Sequence, residues 1–534
     1  MGTTDVLVVG AGPVGLTAAC QLARSGVAVR VVETLAEPTT ESRAVAVHAR
    51  SMEMLASLGV LPRLEARGRR IPALEMVDGH TGRTRARLSL DEAPSRHPYI
   101  LDIPQPDTEA VLAERAAELG VEVERGVTLT ALDQHDDGVD VTLATADGER
   151  TERVGWVVGA DGGHSAARHL VGTHLDGSFH GQHFAMADVD IETELDRDTM
   201  RMFTSPDGLG MLFPLAGSRA RIMFLVEDPG PDAPDPTLEQ IQALADERMG
   251  GRVTVGNPRW LTYFEIHHAQ VPQYRHGRVL LAGDAAHIHS PAGAQGMNTG
   301  IQDAANLAWK LAAVVRGRAD ARLLDSYHQE RHPVGADVVR STTVLTDVGT
   351  APGVGAMVRD LALFVVGHVH RLGAAGATTA AELRVNYRHS SLSVQHGHRP
   401  HDVVRAGEHA PDPEGLTRHD GTAVAVEDLQ ARPGFLLLVR GPADTVAALR
   451  RTLGDLGTVI RVVGAPDEDD DGDGDGEHVI DTDGTVARHY GLDHDGLALI
   501  RPDGYLGLVA DTADPTLLRR YLVDTLHVVE PAVV

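Results

Sequence analysis

Gly10, Gly12 and Gly15 follow the short apolar run Asp5 to Val9 at the spacing G-x-G-x-x-G, and Glu33 closes the next such run eighteen residues beyond Gly15. That pattern suits a dinucleotide. Gly10 permits a tight turn, Gly12 lets a pyrophosphate approach the backbone, and Gly15 lets a helix pack closely on a strand. Pro13 and Val14 fill the remaining positions at the helix start, and Glu33 is placed to accept hydrogen bonds from a ribose. The glycines alone would read as a turn; the flanking strand, helix and acid carry the reading. A second group is Gly283-Asp284 after the apolar segment RVLLAG. It is followed by a loop holding Pro291, Gly293 and Gly296, and by a helix opening near Met297 and Asn298. Backbone N–H groups at such a helix start stabilise negative charge on a bound ring. A third group, Gly159-Ala-Asp161-Gly162-Gly163-His-Ser165-x-x-Arg168, also follows an apolar strand; by itself it is a capped tight turn.

These groups need elements to hold them. The first thirty-odd residues give a βαβ opening, with LTAACQLARSG as its helix and VAVRVVE as its second strand. Residues 121–148 alternate with period two and carry Asp-Gly turns, which predicts antiparallel strands. From about Gly181 to Glu265 the pattern stays strand-like, with one helical insert at PTLEQIQALADERM. Strand, glycine loop and long helix then return the chain to nucleotide-domain character. A proline- and histidine-rich stretch from Gln395 to Pro413 leads into a last α/β module of about 120 residues. The expected fold class is α/β: a Rossmann-like nucleotide domain over 1–180 and 266–394, a substrate-binding sheet domain over 181–265, and a C-terminal domain over 395–534.

The 534-residue chain allows roughly two to four domains. Its net charge of −28 opposes binding to nucleic acid or to anionic membrane surfaces. One cysteine, Cys20, excludes a disulfide scaffold and fits a reducing compartment. The stretch Val354 to Val369 is broken by Arg359 and Asp360 and is too short to span a bilayer, and no basic segment precedes the first strand, so a cytoplasmic protein is expected. Histidine pairs such as His267-His268, His287-x-His289 and His396-x-His398 lack metal-ligand spacing, and no metal is expected. The acidic run Asp467 to Glu477 begins like a calcium loop but places Ile480 where a bidentate Glu is needed; it reads as a solvated loop.

Taken together, GAGPVG with Glu33, SRAVAVHARSMEML, GADGGHSAAR and AGDAAHIHSPAGAQGMNTGIQDAANLAWKL resemble the class A flavoprotein monooxygenases, the para-hydroxybenzoate hydroxylase-like family. The resemblance covers about residues 4 to 345. The tail is similar to the thioredoxin-like C-terminal domain of phenol hydroxylase and of aromatic polyketide hydroxylases. It implies bound FAD: Glu33 on the adenosine ribose, Gly12 to Gly15 at the pyrophosphate, Arg43 near the phosphates, Gln105 on the cofactor and Leu129 beside the adenine. It further implies Asp161 in the family's Asp-Gly motif, Asp284 on the ribityl chain, and Met297 and Asn298 offering N–H groups to the pyrimidine edge. The implied reaction is NADPH-driven reduction, addition of O2 at flavin C4a, and oxygen transfer from the hydroperoxide to an aromatic polyketide-type substrate. No catalytic acid or base is evident.

Phe203, Met211, Phe213, Phe224, Trp260 and Tyr263 sit on the expected sheet and could wall a flat polycyclic ligand or simply fill its core. Baeyer–Villiger insertion beside a ketone is the alternative outcome on the same fold. A flavin halogenase needs a Trp-x-Trp-x-Ile-Pro motif; Trp156, Trp260 and Trp309 stand far apart, and Lys310, the sole lysine, follows the flavin loop. A non-catalytic flavoprotein using its tail as an interaction surface is the reading from another class. With no Cys-x-x-Cys, the C-terminal module is expected to be redox-inert, either structural or a homodimer surface.

Overall fold

The computed structural model describes residues 4–230, 232–288, 295–350, 376–400, 403–464, 478–492 and 495–529. The stretch Val354 to Val369 and the acidic run Asp467 to Glu477 lie outside them. Val6–Val9, four apolar residues buried on both faces, forms the middle of a six-stranded sheet in the order Arg275–His276, Val279–Leu281, Trp156–Gly159, Val6–Val9, Val29–Glu33, Val123–Arg125. All neighbours are parallel except the first pair. Three adjacent parallel strands therefore end, at Val9, Gly159 and Leu281, on one edge of the sheet, and each feeds one of the three glycine-rich segments. Segments far apart in sequence meet because open parallel sheets bind ligands at the carboxyl ends of their strands. Across this sheet the helices Pro13–Arg24 and Gly296–Val315 pack together; the second is buried almost all round, as its alanine-rich sequence allows.

The eight-stranded second sheet is ordered His287–Ile288, Thr254–Gln270, Asp176–Glu192, Arg219–Val226, Gly208–Pro214, Thr199–Ser205, Ala73–Asp78, Thr84–Ser89. It thus draws two strands from within residues 1–180 and one from the flavin-loop segment. Ala73–Asp78 pairs in parallel with Thr199–Ser205, a long-range pairing with no local signature. One face packs under the helix Leu238–Met249, around Phe203, Phe224, Ile241, Ala245 and Met249. The other faces the nucleotide domain with Met186, Met211, Phe213 and Met223.

The last sheet has seven strands around Gly496–Ile500 and Phe435–Arg440. Its core is continuous with the first domain: Trp309, from the long helix, packs edge-on against Phe435 with ring centres 5.6 Å apart, within a cluster that includes Leu437 and Leu508. A second tie joins Glu53, in the helix Ala49–Ser57, to Arg50 at 2.6 Å and to His409 of the C-terminal module at 2.8 Å. Burial alone would raise the Glu53 carboxyl, but His409 and Arg50 outweigh it and hold it at about 2. A depressed carboxylate contributes stability above its unfolded value near 4.5, and that contribution is lost as pH falls toward 2. Glu53→Gln is therefore expected to remove about 3 kcal/mol of the acid-labile stability between these limits, measured as a flatter dependence of unfolding midpoint on pH.

Candidate functional site

One cavity of about 840 Å³ runs along the strand ends of the first sheet. Gly10, Gly12, Pro13, Val14, Glu33, Arg43, Gln105, Leu129, Asp161, Asp284, Gly296 and Met297 all line it. Gly15 and Asn298 stand behind its wall; Pro291, with His289 and Gly293, lies outside the described residues.

The glycines differ in what they do. Gly10 has φ +102°, and a Cβ there would lie 2.4 Å from the Ala160 carbonyl oxygen. A Cβ on Gly15 would lie 2.0 Å from the Gly10 carbonyl oxygen, so Gly15 seats the helix on the strand. At Gly12 no protein atom lies within 4 Å of a Cβ position; its open space is the cavity itself. A pyrophosphate fits this cradle at the helix N-terminus, where Gly12 precedes Pro13. Gly12→Ala should accordingly leave apoprotein melting unchanged while weakening FAD binding by at least about tenfold. Gly15→Ala should lower both, a contrast readable from thermal melts and flavin titration.

Glu33 accepts hydrogen bonds from the N–H groups of Ala11 at 2.8 Å and Leu35 at 2.9 Å, which fixes its carboxylate at the cavity edge. Arg43 is exposed at the mouth and paired with Glu41 at 3.1 Å. Asp161 accepts from the Ser165 hydroxyl and from the Ala167 N–H, capping the short helix Ala166–Leu170. Arg168 then ties this loop to the flavin-loop segment, donating to the Ala285 carbonyl at 3.3 Å and to Gly163 at 2.6 Å.

Gly283–Ala285 is a single 3-10 turn. Asp284 is open to the cavity yet enclosed by protein; burial raises its carboxyl, against the pull of His287 and Arg43. Beneath the turn, buried Asp303 accepts from the Gly283 N–H at 3.1 Å, pairs with His287 at 2.7 Å and takes Arg331 Nε at 2.6 Å. Asn298 is also buried: its side chain accepts from the His48 N–H and donates to the Ala46 carbonyl, both at 2.9 Å, and so staples the helix start to the strand Ala46–Val47.

Of the six aromatic and methionine residues expected on the substrate sheet, Phe213 lines the cavity. Met211 shares its face, and Trp260 lies beside Arg221, whose guanidinium carbon is 5.9 Å from the ring centre. Phe203, Phe224 and Tyr263 do not face the cavity. Strand alternation turns them to the opposite face, into the core under the helix Leu238–Met249. The sequence reading missed Arg221, Met223 and Ile288, which line the cavity. It also missed Asp188, which holds Arg221 bidentately at 2.7 and 2.9 Å. The offset within RARIMFLV would have exposed Arg221 and Met223 once one residue was assigned to a face. Cys20 is buried in the first helix, its thiol donating to the Leu112 carbonyl and pushed by burial up to about 12. Among the described residues no metal-holding cluster is present, and no helix is long and apolar enough to cross a membrane.

Comparison with known proteins agrees with this geometry. Residues 3–342 match the family model for the FAD binding domain. The 6-methylpretetramide 4-monooxygenase of Streptomyces rimosus is 34% identical over 98% of this chain and 93% of its own. The anhydrotetracycline hydroxylase structure from Streptomyces rimosus covers 98% of both chains at 32% identity with a TM-score of 0.77. The ternary complex of aklavinone-11 hydroxylase with FAD and aklavinone superposes at a TM-score of 0.77 and 27% identity, covering 99% of this chain and 100% of the other. With cradle, strand-end loops and full-length likeness in agreement, the chain belongs to the FAD-dependent aromatic and polyketide monooxygenases and is a flavin-dependent enzyme.

Proposed function

We propose that the enzyme consumes NADPH and O2 to insert one oxygen atom into an aromatic polyketide-type substrate. The observation that carries this reading is the continuity of one cavity from the glycine cradle to an end walled by Phe213, Met223, Ile288 and Met297. That apolar wall suits a flat apolar ring. Its relatives include enzymes named for anhydrotetracycline, rifampicin and pentachlorophenol.

Bound FAD supplies the reduction by nicotinamide and the activation of dioxygen. The chain's own residues bind, orient and keep the site dry. Gly12 would leave the backbone open to the pyrophosphate, Glu33 would accept from the ribose, and Asp284 would meet the ribityl chain. The N-terminus of the 20-residue helix Gly296–Val315 offers positive dipole to negative charge on the ring. Residues 1–180 and 266–394 form the FAD-binding unit, 181–265 with the borrowed strands the substrate unit, and 395–534 a thioredoxin-like module with no cysteine. The net charge of −28 favours a soluble enzyme that does not bind nucleic acid, its single cysteine suits a reducing cytoplasm, and the C-terminal module offers a homodimer surface.

The test is oxygen uptake by the FAD-loaded protein with NADPH across a panel of polyketide-derived aromatics, with product mass and peroxide followed together. A product one oxygen heavier, formed in step with uptake, supports the proposal, and NMR of the new oxygen separates hydroxylation from Baeyer–Villiger insertion. Bound FAD without ligand-stimulated NADPH oxidation refutes it.

A further inference from the structure

A row of four side chains crosses the second sheet on its cavity-facing side. Phe213 lies opposite Arg221, Arg221 opposite Asp188, and Asp188 opposite Trp260, on four neighbouring strands. Residues directly opposite share a face, and so do residues two apart, which sets Met223 beside Arg221 on the same side. Among the described residues, this sheet contributes Phe213, Arg221, Met223 and Ile288 to the cavity wall. Three are apolar, and Arg221 is a cation.

Asp188 holds Arg221 side-on, Oδ1 to Nε at 2.7 Å and Oδ2 to Nη2 at 2.9 Å, and the two side chains are only 3% and 2% exposed. A buried pair of this kind contributes little to stability compared with apolar side chains of the same volume. What it does is fix the guanidinium plane, with Nη1 left at the far end of the fork. Nη1 makes no hydrogen bond among the described residues, yet it is not sealed in protein; it keeps accessible surface where Arg221 lines the cavity. A charge-assisted donor set in an apolar wall is unspent until an acceptor reaches it. The charge balance selects the acceptor. Asp188 already neutralises the cation, so an anionic ligand would bring an uncompensated charge into this wall, whereas a neutral carbonyl oxygen would only complete the donor.

We propose that Arg221 Nη1 donates a hydrogen bond to a carbonyl oxygen of the substrate, a quinone or ketone borne on its ring system. This rests on the monooxygenase reading and deepens it. The bond sets the register of a flat ring along Phe213 and Met223. Arg221 is thus a substrate-binding residue, and Asp188, which acts through it, is a positioning residue.

The experiment uses the full-length FAD-loaded protein, titrated calorimetrically under anaerobic conditions at slightly acidic pH. The probes are a dihydroxyanthraquinone and the dihydroxyanthracene that carries the same hydroxyls without the carbonyls. The native protein should bind the quinone about tenfold or more tighter than the anthracene. Replacing both charges, Arg221→Met with Asp188→Leu, should bring that ratio close to one by weakening the quinone alone. Should that variant not fold, Arg221→Lys reads the same ratio, because an ammonium held by Asp188 has no second arm to extend into the cavity. Asp188→Asn should give an intermediate ratio, which a merely structural carboxylate would not move. Equal weakening of both ligands, an unchanged ratio, or no preference in the native protein overturns the proposal. So does a native affinity for the quinone that rises as its hydroxyls ionise, which would make the acceptor a phenolate. Ligand-stimulated NADPH oxidation is recorded in parallel. Turnover without a binding preference removes the Arg221 contact alone, whereas a preference without turnover supports the contact and removes the monooxygenase reading.

Discussion

Arg501→Met is expected to destabilise the whole protein by about 3–5 kcal/mol. Arg501 lies in the C-terminal module and is buried, yet it bonds to Glu330 of the first domain through two contacts of 2.6 and 2.9 Å. Its Nε also meets Asp503 at 3.0 Å. Lys310 reaches Glu330 at 2.7 Å and Asn306 at 2.8 Å, and the Trp309 indole donates to Asp503 at 3.1 Å. The cluster holds two cations and two carboxylates, all buried, so it is neutral as built. Burial raises the Glu330 carboxyl, but Arg501 and Lys310 outweigh it and hold it well below the ordinary range. Removing one cation strands a net negative charge where water cannot reach, and methionine restores only the volume. The apparent melting temperature should fall by roughly 5–10 °C. Flavin retention should fall with it, because Asn306, Trp309 and Lys310 share the helix whose first turn borders the cofactor cavity. An unchanged melt would show that the module is only appended to the enzyme. A cut before Gln395 removes Arg501 and Asp503 and uncovers Trp309, so retained flavin binding in such a fragment is not expected.

How much of this was legible in the sequence depends on the range over which each signal acts. Gly10, Gly12 and Gly15 speak locally, through a turn and a close approach that only glycine permits, so they announce a cradle before any fold is known. Asp161 and Asp284 gain meaning from the strands that precede them. The faces of the second sheet did not declare themselves. Gly208–Pro214 is buried for nearly its whole length and Thr199–Ser205 for most of its own, so Phe213 toward the cavity and Phe203 beneath the helix look alike in sequence. Ion pairs were least legible. Arg501 and Glu330 are 171 residues apart and join different sheets' surroundings, and a chain rich in arginine offers no local hint of which one is buried.

Asp303→Asn should produce the largest loss of flavin. The carboxylate stands between the cofactor turn and buried Arg331, which also donates to the Thr299 carbonyl and the Tyr387 hydroxyl, each at 3.0 Å. Burial would raise it, but Arg331 and His287 hold it below the ordinary range, the reverse of the balance at Asp284. One acid thus anchors the turn from beneath, and its neighbour Asp284 faces the cavity. Asparagine keeps the shape but gives up the charge, leaving Arg331 uncompensated at a cost of about 3–5 kcal/mol. It also cannot accept from Gly283, His287 and Arg331 together. The Gly283–Ala285 turn should loosen, FAD affinity should fall by about a hundredfold or more, and the apoprotein should melt lower. Asp284→Ala makes the control: it touches only the cavity, so flavin affinity should fall while the apoprotein melt stays where it was. If Asp303→Asn instead keeps its flavin through gel filtration, the turn is held by the strand and helix alone. Asp303 would then serve only the packing of Arg331.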